Sequence, residues 1–261
     1  MSAQIRELEA LIGAELVDRA PRGLALTPLG RTVAARAKAV LDGAAEIEAI
    51  ATAEDAPLRL GLIPTLAPYL VPAFLEQAAS AGVAVAIAEG LTARLLEQVR
   101  AGDLDGAVIA LPSGDQALAD HTLFHDRFLL ALPPADPQGG PIAPARPEEI
   151  DPARLLLLDE GHCLTDQALA ACGMRRDSVA PTLGATSLAT VSRLVASGQG
   201  ITLIPEIAAP VEGRGVRLSH FTDPEPGRTV GLVTRRGASG SEWVGQVSKL
   251  FKSARTGLTT T

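Results

Sequence analysis

Apolar residues recur at helical spacing in 3–12, A-Q-I-R-E-L-E-A-L-I, placing Ile5, Leu8, Leu11 and Ile12 on one face. Gly13 ends that helix. Between Glu15 and Leu29 two short apolar runs flank Pro21–Arg22–Gly23, a pattern that predicts a hairpin. Thr27 is an N-cap candidate and Pro28 suits the first helical position. From Pro28 to Ala53 an alanine-rich stretch carries an apolar stripe of Val33, Ala37, Val40, Leu41, Ala44, Ile47 and Ile50. The stripe predicts a long helix suited to a dimer seam. Asp55–Pro57 reads as a short hinge.

Beyond the hinge the period changes. The pattern predicts strands at Leu58–Ile63, Val83–Ala88, Gly106–Ala110 and Leu129–Leu132, and helices near Ala67–Ala79 and Thr92–Ala101. Pro133–Pro147, with six prolines, reads as a loop or crossover. A second set follows: strand Leu155–Leu158, helices Asp166–Ala171 and Ser187–Ser197, strand Gly200–Ile204. The chain then returns through strand Thr229–Thr234 to a helix at Ser241–Ser253. The tail, Thr256–Thr261, reads as frayed. Strands alternating with helices predict an α/β domain with largely parallel strands. There is no internal repeat and no low-complexity tract.

The chain has 261 residues, 47% of them hydrophobic, enough for one large or two small globular domains. A net charge of −7 argues against bulk nucleic-acid binding, so any DNA contact must be local. Aromatics at 3% argue against base-stacking platforms. Through Leu41 the balance reverses: Arg6, Arg19, Arg22, Arg31, Arg36 and Lys38 outweigh Glu7, Glu9, Glu15 and Asp18 by two charges. The N-terminus has no apolar signal core, and no run is long enough for a membrane span. The expected compartment is the cytoplasm, with no membrane partner. A disulfide there would be transient and regulatory.

The two cysteines lie in L-L-L-L-D-E-G-H-C-L-T-D-Q-A-L-A-A-C, residues 155–172. Cys163 follows His162 near a predicted strand-to-helix turn, and Cys172 lies further along the same predicted helix. Nine residues of α-helix rise about 13.5 Å, whereas bridgeable cysteines have Cα atoms less than about 7 Å apart. If Leu164–Ala171 is helical the two cannot bond unless it unwinds, so the spacing suggests a redox switch. Alternatives stand beside it. The cysteines could be inert buried thiols. Cys163, Cys172 and His162 could bind a metal, although structural zinc favours four ligands in closer pairs. Thr65 could simply cap its helix. His121 and His125 read as surface or interface residues, and Arg6 as a base contact or a solvated side chain.

S-A-Q-I-R-E-L-E, G-A-E-L-V-D-R, R-G and L-T-P-L-G, in that order, resemble the recognition helix, wing and linker helix of LysR-type transcription regulators. A-T-S-L-A-T-V-S-R-L-V-A-S-G-Q-G-I-T-L-I-P resembles a helix–Gly–strand–Pro landmark of the same family's effector domain. The resemblance implies a two-lobed, periplasmic-binding-protein-like effector domain preceded by a partial winged helix-turn-helix and a linker helix. The expected boundaries are 1–55 for the DNA-binding part and linker, and 58–261 for the effector domain. Its lobes would be 58–132 with 230–261, and 133–229. Against the family pattern, Met1 stands where the recognition helix is already under way, so the winged helix is expected to be incomplete. Ser2, Gln4, Arg6 and Arg22 would face DNA.

G-H-C-L-T-D-Q-A-L-A-A-C and L-G-L-I-P-T-L-A-P-Y-L-V-P further resemble the peroxide-sensing branch of that family. That implies a transcription regulator that responds to hydrogen peroxide, with Cys163 peroxidatic, Cys172 resolving and a reversible disulfide between them. Thr65, Thr92, His162 and Arg235 would surround the peroxide. Peroxide attack needs a thiolate, so either a lowered Cys163 pKa or hydrogen bonds to its sulfur are expected, with His162, the Gly161 turn and a helix N-terminus each able to favour the anion. No metal and no cofactor is implied. Implied partners are promoter DNA, RNA polymerase, a second or further copies in a homodimer or homotetramer, and a reductant such as glutaredoxin or thioredoxin. Two other functions stay open: a LysR-type regulator whose cleft binds a small organic inducer, and a thiol peroxidase, an enzyme.

Overall fold

The structure is a computed structural model of the chain and describes residues 3–20, 23–52, 56–134, 144–159, 161–175, 177, 179 and 185–258. The chain divides into two compact units, Met1–Ala56 and Pro57–Thr261.

In the first unit, helix α1 (Ala3–Ile12) precedes an antiparallel hairpin of β1 (Val17–Ala20) and β2 (Gly23–Leu26), and helix α2 spans Pro28–Thr52. The Glu9 carboxylate accepts from the backbone N–H groups of Leu16 at 2.7 Å and Val17 at 3.1 Å, tying α1 to the hairpin. Thr27 caps α2 by accepting from the Gly30 N–H at 2.9 Å, as its position before Pro28 predicts. The apolar face of α1 is uncovered: Leu11 is 83% exposed. On α2, Val40 and Leu41 are also exposed.

The second unit is built on a seven-stranded sheet. β3 (Leu58–Leu62), helix α3 (Ala67–Ser80), β4 (Val85–Glu89), helix α4 (Thr92–Ala101) and β5 (Gly106–Leu111) form successive βα units. β6 is a 15-residue strand, Leu118–Leu132. Helices α5 (Cys163–Ala171) and α6 (Leu188–Ala196), strand β7 (Thr202–Pro205), the one-turn helix α7 (Ala209–Glu212) and β8 (Arg217–Ser219) follow. The chain then returns along β9 (Gly227–Arg235) to helix α8 (Glu242–Leu258). The strand order is β4-β3-β5-β9-β6-β7, with β8 also on β6. β3 pairs in parallel with β4 and β5; every pairing of β6 and β9 is antiparallel.

Four sequence expectations change. The sheet is mixed, not largely parallel. β6 begins at Leu118, eleven residues before the predicted strand, and a bulge between Thr122 and Phe124 breaks its alternation. The apolar run Leu155–Leu158 makes only an isolated parallel bridge, Leu155 to Ile201, flanked by bonds from Leu156 N–H to Ile201 O and Ile201 N–H to Arg154 O. The tail is helical through Leu258 rather than frayed from Thr256. The hinge at Asp55 and most of the proline-rich loop lie outside the described residues.

α8 packs across the sheet on α3, where the Phe74 and Phe251 rings stack with centroids 3.9 Å apart. Leu60 and Leu62 of β3 are fully buried beneath them, each worth about 1.5–3 kcal/mol. This core holds the C-terminal end of β3, and the turn after it, in place.

The glycine of the helix–Gly–strand landmark has a steric cause. A Cβ on Gly200 would lie 2.4 Å from the Arg154 carbonyl oxygen and 2.9 Å from Leu156 Cγ. Gly200→Ala is therefore expected to push the bridge at Leu155 apart and cost about 1–3 kcal/mol, read as a lower urea midpoint. An unchanged midpoint would show that the bridge is slack.

Candidate functional site

β3 ends in Ile63–Pro64–Thr65, and α4 begins at Thr92. Gly161–His162 turns into α5, whose first residue is Cys163. These three turns meet in a crevice lined by Ile63, Pro64, Thr65, Leu91, Thr92, Gly161, His162 and Cys163. Its empty space is about 160 Å³, mouth included, and at rest it is too tight to seat a water molecule. Sites for drug-sized ligands run to about 300–1,000 Å³.

Thr65 is 2% exposed. Its hydroxyl oxygen accepts from Arg228 Nη1 at 2.8 Å, and its carbonyl accepts from Nη2 at 3.1 Å. A guanidinium only donates, so the Thr65 hydroxyl hydrogen must point elsewhere. The Thr92 hydroxyl is buried without a partner of hydrogen-bond geometry, yet lies close enough to the Cys163 sulfur to favour its thiolate. Two hydroxyl groups thus reach this crevice with hydrogen-bonding capacity to spare.

Arg228 itself is fully enclosed. Its Nε and Nη2 donate to Asp126 Oδ2 at 3.0 and 2.9 Å, and both side chains are 0% exposed. Removing one member of such a buried pair costs about 3–5 kcal/mol.

Of the two expectations for Cys163, the lowered pKa is not met. Burial pushes the Cys163 pKa up, and this outweighs the opposing pull of the Arg228 charge, the Thr92 hydroxyl and the residue's own backbone N–H, with Asp166 adding slightly to the rise. The resting thiol is therefore protonated at neutral pH. His162 is buried and its pKa is lowered by desolvation, with Asp159 pulling weakly the other way. It is a neutral imidazole and contributes no positive charge to Cys163.

Cys172 caps the C-terminal end of α5, buried at 6% exposure, and both cysteines are free. The nine-residue helix rises about 13.5 Å between them. They cannot bond in this fold. Burial raises the Cys172 pKa to about 11, so it too is a neutral thiol.

Of the residues expected around the sulfur, Thr65, Thr92 and His162 are brought together. Arg235 is not. It lies at the far end of β9, where its Nη1 donates to the carbonyls of Val99 and Leu104 at 2.8 and 3.1 Å, closing the C-terminal end of α4. The arginine at this site is Arg228, at the start of the same strand. Gln4 and Arg6 are exposed on α1; Ser2 and Arg22 lie outside the described residues. Among the described residues no His, Cys, Asp and Glu cluster suits a metal.

Residues 51–254 match the family model for the LysR substrate binding domain. A probable hydrogen peroxide-inducible genes activator of Mycobacterium avium is 41% identical over 97% of this chain and 85% of its own length. The chain belongs to the LysR family of transcription regulators, in its OxyR branch. Among solved structures, a cysteine-to-serine mutant of Corynebacterium glutamicum OxyR with bound hydrogen peroxide matches with a TM-score of 0.75 at 30% identity, covering 98% of this chain and 83% of that one. The oxidised form of C. glutamicum OxyR matches with 0.64, at 30% identity over 98% of this chain and 82% of its own. As a member of a family of transcription regulators, this chain is not classed as an enzyme. No helix among the described residues is long and apolar enough to cross a membrane.

The raised Cys172 pKa carries a pH signature. In the unfolded chain the thiol ionises near its ordinary value of 9.0; in the fold it holds its proton to about 11. The stabilisation is complete below pH 9 and is lost as pH rises toward 11. A Cys172→Ala variant should show a shallower alkaline fall in thermal midpoint than the parent. Identical alkaline limbs would contradict the burial of this thiol.

Proposed function

We propose that this LysR-type regulator senses hydrogen peroxide at Cys163 and stores the signal as a Cys163–Cys172 disulfide, controlling oxidative-stress genes. The supporting observation is the crevice: one sulfur and two threonine hydroxyls, in a space far too small for an organic inducer. Hydrogen peroxide offers two O–H donors and several lone pairs, matching two hydroxyls and a thiol. To enter, it must part the side chains slightly, which keeps bulkier oxidants out.

The chemistry balances within the chain. The Cys163 sulfur gives up its proton and attacks one peroxide oxygen; an S–O bond forms as O–O breaks. The departing oxygen takes the proton and leaves as water, with negative charge on it stabilised by the Thr65 hydroxyl, held by Arg228. The sulfenic acid at Cys163 then meets Cys172. An S–S bond forms, S–O breaks, and a second water leaves. The last step requires α5 to unwind, since the thiols lie at its two ends. A thiol reductant of the glutaredoxin or thioredoxin kind would reverse it.

The output half of the reading is coarser. The family binds DNA as oligomers. We assign residues 1–55 to the DNA-binding part and linker, with Gln4 and Arg6, exposed on α1, as DNA contacts. The exposed Val40 and Leu41 of α2 suit a seam between copies in a homodimer or homotetramer. Residues 58–261 are the effector domain, with lobes 58–132 plus 230–261 and 133–229. RNA polymerase is the contact through which promoter output would change.

Reduced protein treated with stoichiometric peroxide should form the Cys163–Cys172 disulfide, mapped by mass spectrometry, and Cys163→Ser should abolish it. Because the Cys163 pKa is raised, the reaction should accelerate steadily from pH 7 through pH 9. Two thiols left reduced by excess peroxide would defeat this reading. Sustained turnover of peroxide at enzyme-like rates would favour a thiol peroxidase instead.

A further inference from the structure

The peroxide chemistry proposed above depends on a threonine hydroxyl whose direction is set by Arg228, yet nothing about Arg228 alone fixes where its guanidinium points. An arginine side chain has four rotatable bonds and loses much rotamer entropy when held still. Something must hold it. Thr65 is the group to be aimed, so the restraint has to come from the opposite side.

That side is Asp126. Asp126 and Arg228 are direct partners in the antiparallel ladder of β6 and β9. Asp126 Oδ2 receives both Nε and Nη2, and its other oxygen, Oδ1, accepts the Ile207 backbone N–H at 3.1 Å. The carboxylate is thus anchored from a third segment, the turn after β7, before it grips the guanidinium. Two features of the ladder exist to bring this pair inward. The bulge at Leu123 advances β6 by one residue and turns Asp126 away from solvent. Gly227 lets the strands close beside it: a Cβ there would lie 2.6 Å from His125 Nε2 and 2.8 Å from the Asp126 carbonyl oxygen.

We propose that Asp126 is a positioning residue for peroxide reduction: its carboxylate, pinned by Ile207, aims Arg228 so that the Thr65 hydroxyl presents its hydrogen to the crevice. Asp126 does not touch the crevice, whose lining it does not join. It acts through Arg228 alone. This rests on the peroxide reading and specifies how one residue serves it.

The charged and titratable groups facing Cys163 are Arg228 across the crevice, Asp166 on its own helix and neighbouring His162. Asp126→Asn removes the grip without removing the Arg228 charge. In the full-length chain this variant should react with peroxide roughly 10- to 100-fold more slowly, because the donor is misaimed. Alkylation of Cys163 by iodoacetamide reads only the thiolate, and its pH profile should stay in place or move to lower pH. Damage to the fold would instead expose Cys163 and raise its alkylation rate well above the parent's.

Should Asp126→Asn not fold, a second comparison decides. Asp126→Glu leaves no buried charge unpaired and moves the carboxylate by one methylene, so it should slow peroxide reduction while the alkylation profile stays in place. An Asp126→Glu protein with parental peroxide kinetics would overturn the proposal. So would an Asp126→Asn protein with parental peroxide kinetics, or one in which peroxide and alkylation rates fall in step. A parent chain inert to peroxide overturns this proposal and the sensor reading alike, whereas a reactive parent beside an equally reactive Asp126→Asn overturns this proposal only.

Discussion

The two thiols that the proposed reading joins are held apart by the helix that runs between them. α5 runs from Cys163 to Ala171 with Cys172 as its cap, and the rise of nine residues exceeds the reach of a disulfide by about twofold. Everything else in the effector domain bears on that constraint. The helix starts at the crevice, so oxidation strikes its first residue. It ends in the core, so the second thiol stays neutral and hidden until the helix opens. Leu164, Ala168 and Leu169 are buried beneath it, so opening α5 exposes apolar surface and disturbs its packing. Oxidation therefore trades a packed helix for a covalent bond, a two-state arrangement of the kind redox switches require.

On the proposed reading the crevice works by tightness rather than by an activated thiolate. A raised Cys163 pKa and a neutral His162 leave the resting thiol protonated. What the site supplies is aim. Arg228 is gripped on one side by Asp126 and bonded on the other to Thr65, which frees the threonine hydrogen for an incoming oxygen. The ion pair is wholly buried. It contributes orientation at a site where a smaller, apolar pair would have been cheaper to bury.

Much of this was legible in the sequence. A helix just after Cys163 could be read from a polar turn followed by helix formers, and the structure starts it at Cys163 itself. Thr65 and Thr92 are reached only through the family resemblance; the residue pattern alone offers Thr65 as a helix cap. The arginine could not be read, and the reason is topological. Sites on parallel sheets lie at the C-terminal ends of strands, so a sheet taken as largely parallel points to Arg235. β9 runs antiparallel to β5, pairing Thr229 with Leu111, and so it brings its first residues, not its last, to the site. Arg235 closes α4 instead. Asp126 was hidden by the bulge at Leu123: D-H-T-L-F-H-D loses strand alternation there, and the first half of β6 looks like a loop. Leu155–Leu158 failed in the opposite sense, with a strand-like composition but a single bridge to Ile201.

The central claim is that α5 is intact while the thiols are reduced and lost once they are joined. Amide hydrogen exchange followed through residues 163–171, before and after peroxide, measures this directly. Slow exchange in the reduced chain, rapid exchange after oxidation, and slow exchange in peroxide-treated Cys163→Ser are the expected results. A disulfide-linked chain whose α5 amides remain as protected as before would contradict the account.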